Sequence, residues 1–283
     1  MKVLVTGATG FIGNYVVNEL LKHNCDVIAT SIDSAETVQY PWLAGVTYIP
    51  CDLNSEKNNY FTFFNKPDSL IHLAWEGLPN YKELFHFERN LYSSYSFIKN
   101  MVLNGLRDIT VLGTCLEYGM QTGALPETAP AQPTTAYGLA KDTLRKFLEQ
   151  LQKKNEFKFK WIRLFYTYGK GQSRSSLLSQ LEQAIETGQA SFNMSNGQQI
   201  RDYLPVEKLA EYVVEISLQN KVTGIINCCS GQPITVKQFV RNYLTKSEKT
   251  IKLNLGHYPY PDYEPMEFWG DTAKLNSILK THK

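Results

Sequence analysis

Long hydrophobic runs are missing from this chain. Apolar residues make up 43% of its 283 positions, yet none of them gather into the ~18-residue stretch that a bilayer crossing requires. Cysteine is sparse and unpatterned: Cys25, Cys51, Cys115, Cys228 and Cys229 are an odd number without C-x-x-C spacing, which speaks against a disulfide frame or a zinc site. No block of like charge exists, and 29 Lys/Arg against 27 Asp/Glu leave a net charge of +2, so a nucleic-acid-binding arm is not expected. The opening residues, Met1-Lys2-Val3-Leu4-Val5-Thr6-Gly7, hold no apolar stretch leading to a small-residue cleavage site. A secretory signal is therefore not expected, and a reducing cytoplasm is the expected location. No Gly-Lys-Ser/Thr follows the glycines near the start, so a P-loop is excluded as well.

What is present is alternation. Continuous apolar, β-branched runs at Lys2–Thr6, Asp26–Thr30, Val46–Ile49, Ser69–Ala74, Ile109–Thr114 and Lys160–Phe165 read as strands buried on both faces. Helical patterns lie between them, at Gly13–His23, Phe87–Asn104 and Tyr137–Lys154; in the last, Leu139, Leu144, Phe147, Leu148 and Leu151 recur near a 3.6 period. This predicts an α/β, doubly wound parallel sheet of Rossmann type with helices on both faces. After Phe165 the chain turns polar and glycine-rich, then gives helices at Leu177–Thr187 and Val206–Gln219, a strand at Gly224–Cys228, and an aromatic, proline-rich tail. The expected organisation is a dinucleotide-binding domain over 1–165 and a smaller C-terminal substrate-binding domain over 166–283, whose strand near 224–228 returns to the sheet.

Gly7-Ala8-Thr9-Gly10-Phe11-Ile12-Gly13 follows the first strand directly and opens a helix. Glycine is needed where φ is positive and where backbone must approach a phosphate, and the helix start then offers free N–H groups and a positive dipole end. The loop therefore predicts a dinucleotide, held by Gly7, Thr9, Gly10, Phe11, Ile12 and Gly13. NAD and NADP are told apart about 20 residues further on, where an acid binds the ribose 2′-hydroxyl and repels a 2′-phosphate. Ser31 occupies the expected acid position and Asp33 follows two residues later. Ser31 and Ser34 favour NADP, while Asp33 leaves NAD open.

Tyr137-Gly138-Leu139-Ala140-Lys141 sets a phenol and an ammonium on one helix face. A nearby cation favours the phenolate and so predicts a depressed Tyr137 pKa, useful for moving a proton to or from a carbonyl oxygen. The same spacing occurs at Tyr95–Lys99 and Tyr166–Lys170. Only Tyr137 also has an upstream strand ending in a hydroxyl, Thr114, and a loop with Pro126, Pro130 and Pro133 before its helix.

These residues resemble the extended short-chain dehydrogenase/reductases that act on nucleotide sugars. The likeness covers nearly the whole chain, through Gly7/Gly10/Gly13, Cys51-Asp52-Leu53, His72-Leu73-Ala74, Gly113-Thr114-Cys115-Leu116-Glu117-Tyr118-Gly119, Tyr137–Lys141, Arg163–Gly169 and Arg201-Asp202-Tyr203-Leu204-Pro205-Val206. It implies that Tyr137 protonates the sugar carbonyl oxygen, Thr114 hydrogen-bonds that oxygen, and Lys141 holds the nicotinamide ribose and depresses the Tyr137 pKa. By the same likeness Asp52 and Leu53 would contact adenine, Leu73, Ala74 and Asn90 would lie on the nicotinamide side, and Arg201 would pair with the substrate diphosphate. A homodimer through Phe87–Asn104 and Tyr137–Lys154 is also implied.

Departures from the family pattern narrow the activity. The 4,6-dehydratases carry an Asp-Glu pair where this chain has Cys115 and Leu116, and the GDP-fucose epimerase–reductases carry a cysteine at the Leu116 position. Tyr166 replaces the family's usual asparagine as a substrate contact. A simple reductase needs only Thr114, Tyr137, Lys141 and a dissociable nicotinamide. Gly113–Gly119 and the run from Tyr137 to Phe147 are similar to bacterial dTDP-4-dehydro-6-deoxyglucose reductases, which implies reduction of the 4-keto group of a dTDP-4-keto-6-deoxyhexose and a place in polysaccharide biosynthesis. The alternatives are a CDP-4-keto-3,6-dideoxyhexose reductase, an NAD-retaining nucleotide-sugar 4-epimerase, and a non-catalytic dinucleotide-sensing regulator. The tail from Tyr258 to Trp269 and the Ser191–Asn196 segment are expected to shape the sugar and base pocket.

Overall fold

The computed structural model describes residues 1–55 and 57–280. Seven parallel strands form its main sheet: β1 (Lys2–Thr6), β2 (Asp26–Thr30), β3 (Thr47–Tyr48), β4 (Ser69–His72), β5 (Asp108–Thr114), and the strands Lys158–Leu164 and Gly224–Cys228. Their order places β4, β5, Lys158–Leu164 and Gly224–Cys228 on one side of β1, and β2 and β3 on the other. Chain direction across the sheet thus reverses between β1 and β4. In open parallel sheets ligands bind in the crevice outside the strand ends at such a point.

The apolar runs serve two faces at once. Val3 and Val5 join one core cluster while Leu4 joins the other, as the two-residue period of a strand requires. The helices α1 (Phe11–Lys22), Val206–Leu218 and Ala273–Leu279 cover the first face with Val16, Val17, Leu209, Val213 and Leu275. On the opposite face, Leu91–Leu103 and Ala136–Gln152 supply Phe97, Ile98, Met101, Leu144 and Leu148. The Ala136–Gln152 helix starts on Thr135, whose hydroxyl accepts the Gly138 N–H at 3.0 Å, a stabilising N-cap. No helix among the described residues is long and apolar enough to cross a membrane, and the five cysteines are free thiols.

Past residue 165 the chain divides its work. Val206–Leu218 packs on α1, and Gly224–Cys228 pairs with Lys158–Leu164, so both belong to the sheet layer. The remainder builds a lobe around Leu178, Leu181, Phe192, Phe239, Val240 and Leu244. Its three-stranded sheet joins Tyr166–Tyr168, Ile200–Pro205 and Pro233–Thr235, with Tyr203 stacked on Phe239 at 3.8 Å between ring centroids. Ser191–Asn193 pairs with Lys252–Asn254 at the lobe's edge.

Two boundaries differ from the sequence expectation for a visible reason. β4 stops at His72 instead of Ala74, because the Thr6 hydroxyl accepts the Leu73 and Ala74 N–H groups at 3.2 and 3.3 Å and ends the ladder. The helix expected from Phe87 begins instead as a π-turn, His86–Asn90, before regular α-helix from Leu91. That wide turn buries His86 and lets the Asn90 amide reach the Glu76 carbonyl at 2.9 Å. π-turns of this kind recur where a side chain must be aimed.

Candidate active site

A cleft enclosing about 260 Å3 opens at the β1/β4 crossover. Gly7, Thr9 and Gly10 form its floor. Gly7 has φ +67°, and a Cβ there would come within 2.9 Å of the Ala74 backbone nitrogen. A Cβ on Gly13 would sit 2.1 Å from the Gly7 carbonyl oxygen. Helix α1 begins at Phe11 with no side-chain cap on its first N–H groups, which leaves them for a ligand anion. The glycine cradle and open helix start fit a dinucleotide pyrophosphate. Gly13 acts by letting helix and loop approach, while Ile12, partly buried, packs against the first core cluster. Phe11 edges against Tyr15 at 6.2 Å.

The serine expected to choose the cofactor is already engaged. The Ser31 hydroxyl donates to the Asp33 carboxylate at 3.0 Å and shares a 2.7 Å hydrogen bond with the Tyr48 hydroxyl. Asp33 also accepts from the Thr9 hydroxyl at 2.6 Å, and its side chain lines the cleft. The acid that sequence spacing placed two residues too late is thus carried back to the glycine loop. A carboxylate there suits a 2′-hydroxyl and repels a 2′-phosphate, which corrects the lean toward NADP. Asp52 and Leu53, expected to contact adenine, line the cleft, as do Ala74, Trp75, Glu76 and Asn90. Leu73, expected on the nicotinamide side, is partly buried against the first core cluster and is not among the residues lining the cleft.

Thr114, Tyr137 and Lys141 meet beside that cleft. Thr114 ends β5, its hydroxyl accepting the Leu116 N–H at 3.2 Å and its own N–H donating to the buried Glu117 carboxylate at 2.8 Å. Tyr137 is buried, its ring 5.2 to 6.0 Å from those of His86, Tyr81 and Trp75. Burial pushes its phenol well above the ordinary tyrosine value, with Tyr81, Glu117 and Cys115 adding to the shift and a Thr114 hydrogen bond opposing it. The expected depression of the phenol by Lys141 is not found. The Lys141 ammonium instead donates to the Leu112 carbonyl at 2.8 Å and lies 3.9 Å from the Trp75 ring centroid. Burial lowers Lys141 to about 7, partly offset by Glu117.

Glu117 was not singled out from sequence. It has no exposed surface and accepts from Thr114 N–H, Trp161 Nε1 and Arg163 Nε at 2.8 to 3.1 Å. The Thr114-x-x-Glu117 spacing is a capping-box signature, a signal that does not disclose its buried ion pair with Arg163. Trp75 was missed too, because nothing local distinguishes it from a core aromatic.

Arg201 and Tyr166 lie together, the guanidinium 5.6 Å from the Tyr166 ring centroid. Arg201 is not a free cation: it donates to Glu264 at 3.0 Å and to the Ile200 and Met266 carbonyls at 2.8 and 3.3 Å, over the rings of Phe268 and Tyr166. Burial raises the Tyr166 phenol, with Glu264 and Cys115 adding to the shift. From the tail, Tyr263 reaches Tyr81 at 5.8 Å, and Asp262 pairs with Lys82 at 2.8 Å. Tyr258 is exposed, and Ser191–Asn193 belongs to the lobe's edge. Lys99 sits 6.0 Å over the Tyr95 ring on a helix surface, and the Lys170 carbonyl receives the Tyr15 hydroxyl at 2.9 Å. Neither repeats the Tyr137 setting.

Comparison with known proteins agrees with this fold. The model of the NAD dependent epimerase/dehydratase family matches residues 3–229. A dTDP-6-deoxy-L-talose 4-dehydrogenase (NAD(+)) from Aggregatibacter actinomycetemcomitans is 29% identical over 274 residues, 95% of this chain and 99% of its own length. A UDP-glucose 4-epimerase from Halalkalibacterium halodurans is 24% identical, covering 99% of this chain and 90% of its own. The structure of UDP-glucuronic acid 4-epimerase from Bacillus cereus, in complex with UDP-glucuronic acid and NAD, shares the fold at a TM-score of 0.84 and 21% identity, over 99% of this chain and 93% of that one.

Proposed function

This chain belongs to the NAD dependent epimerase/dehydratase family, and from that premise we propose that it is an NAD-dependent oxidoreductase acting at carbon 4 of a dTDP-linked 6-deoxyhexose. The observation that carries this reading is the convergence of Thr114, Tyr137 and Lys141 behind a cleft whose ribose end presents Asp33. The 4-dehydrogenase relative, alike over nearly the full length of both chains, supports the choice of dTDP sugar and carbon 4.

NADH bound in the cleft would supply the hydride that adds to the C4 carbonyl carbon. Tyr137 would give its phenolic proton to the carbonyl oxygen, and the Thr114 hydroxyl would hydrogen-bond that oxygen as charge develops on it. A raised Tyr137 pKa keeps the phenol protonated, the form that reduction needs. Lys141 would bind the nicotinamide ribose. Arg201, paired with Glu264 at 3.0 Å, would meet the nucleotide diphosphate by exchanging that carboxylate for a phosphate oxygen, and Tyr166 would border the sugar. Without acid–base groups at Cys115 and Leu116, water elimination has no catalyst there.

A second reading, a 4-epimerase that retains its NAD, is favoured by the epimerase relative and uses the same three residues. A substrate panel separates the two. Incubation with 4-keto-6-deoxy sugars on dTDP, CDP and UDP, followed at the NADH absorbance, should show oxidation on dTDP. Absence of NADH oxidation on every sugar would sink the reductase, and stoichiometric NAD in purified protein would favour the epimerase. Exposed Tyr92, Leu103, Leu139 and Phe147 on Leu91–Leu103 and Ala136–Gln152 support a homodimer through these helices, which sedimentation would test.

A further inference from the structure

We infer that Trp75 is a positioning residue for Lys141, its ring face holding the ammonium and its indole held in turn by His86. This rests on the reading of Lys141 as the group that binds the nicotinamide ribose.

Three contacts in series carry it. The Trp75 indole N–H donates to His86 Nδ1 at 3.0 Å. An indole nitrogen can only donate, so His86 Nδ1 accepts and the ring proton resides on Nε2, facing the Asn80 carbonyl at 3.0 Å. His86 is therefore neutral, and burial lowers its pKa in the same sense. So fixed, the Trp75 ring places its face 3.9 Å from Lys141 Nζ, within the range where an aromatic quadrupole attracts an ammonium, most strongly where water is excluded. Trp75 also lines the cofactor cleft and packs edge-on to Tyr137 at 6.0 Å. It is the side chain shared by cofactor wall, lysine and phenol.

Without that face Lys141 would be an ammonium with poor support. Burial holds it near 7, and its hydrogen bond is to the neutral Leu112 carbonyl. The charged and titratable groups around it are Glu117 from the turn after β5, which favours its charge, His72 at the end of β4, Tyr137 on its own helix, and His86 on the π-turn. His72 is pushed down to about 3 and stays neutral through the physiological range. Glu117 is thus the anion near Lys141, and it is shared with Arg163 and Trp161.

The test compares Trp75→Leu, which removes the ring face but keeps an apolar side chain, with Trp75→Phe, which keeps a face and loses only the N–H. Protein grown on 13Cε-lysine is titrated by NMR, the Lys141 resonance being assigned by its loss in Lys141→Met. Trp75→Leu should lower the Lys141 midpoint by about one pH unit, while Trp75→Phe, which keeps a ring face but loses the His86 anchor, should lower it by clearly less. In NADH-dependent reduction, Trp75→Leu should lose about tenfold in kcat at neutral pH, with little change in KM for the sugar. An unmoved midpoint in Trp75→Leu, or an equal fall in Trp75→Phe, would overturn the assignment. The titration needs no substrate, so it decides the role of Trp75 even where the sugar panel rejects the proposed activity.

Discussion

The guanidinium of Arg201 donates to the carboxylate of Glu264 at 3.0 Å across 63 residues of chain, and both side chains are almost wholly buried. The pair joins strand Ile200–Pro205 to the tail. Because the tail also touches Tyr81 through Tyr263, the ion pair ties the proposed nucleotide-binding side to the loop above Tyr137.

Removing either partner leaves the other as a buried, unpaired charge, which typically costs about 3–5 kcal/mol. Arg201→Ala should therefore lower the thermal midpoint and raise the KM for nucleotide sugar, leaving NADH affinity unchanged. Glu264→Gln should be milder, since the amide oxygen can still accept. Calorimetry and a KM series measure both effects, and unchanged KM in Arg201→Ala would remove the residue from the substrate site.

Tyr137→Phe deletes a hydroxyl from a ring already packed among aromatics, so folding should survive. The kcat for ketone reduction should fall by about 10²–10⁴-fold, with NADH binding retained. Near-wild-type turnover would show that another group delivers the proton.

Lys141 makes stability depend on pH in an unusual direction. Its native value is about 7 against an ordinary 10.5, so between these values the unfolded chain holds a proton that the native state lacks. Its burden on stability is full below pH 7 and fades as pH rises toward 10.5. Lys141→Met should be inactive yet more stable than wild type at pH 6 in urea titration, with the gap closing by pH 10. A gap that widens with pH would contradict the buried-ammonium assignment.

Asp33→Asn keeps size and removes the charge that receives the Thr9 and Ser31 hydroxyls. NADH should bind about 10- to 100-fold more weakly, the scale of losing a charge-assisted hydrogen bond, and the preference over NADPH should shrink. Titration with both nucleotides reads this directly; an unchanged ratio would take Asp33 out of cofactor selection.

Gly13→Ala would put a methyl 2.1 Å from the Gly7 carbonyl oxygen. Helix α1 and the loop would have to separate, at a typical overpacking cost of about 1–3 kcal/mol. Weaker NADH binding together with a lower melting temperature is expected, and wild-type affinity would mean that the cradle tolerates displacement.

Sequence by itself determined the parallel sheet, the glycine cradle and the Tyr137–Lys141 face, because each is written in short-range spacing: two-faced apolar runs, glycines where a Cβ cannot fit, and a four-residue helical step. It also marked Thr114 as the hydroxyl at a strand end. Tertiary structure alone decided the rest. Only the fold carries Asp33 to the Thr9 hydroxyl, pairs Arg201 with Glu264 and sets Trp75 over Lys141. The same holds for the charges. Spacing puts an ammonium near a phenol and predicts a lowered pKa, but burial penalises the charged form of both groups. In this site burial is the largest influence on both groups, so Tyr137 rises and Lys141 falls.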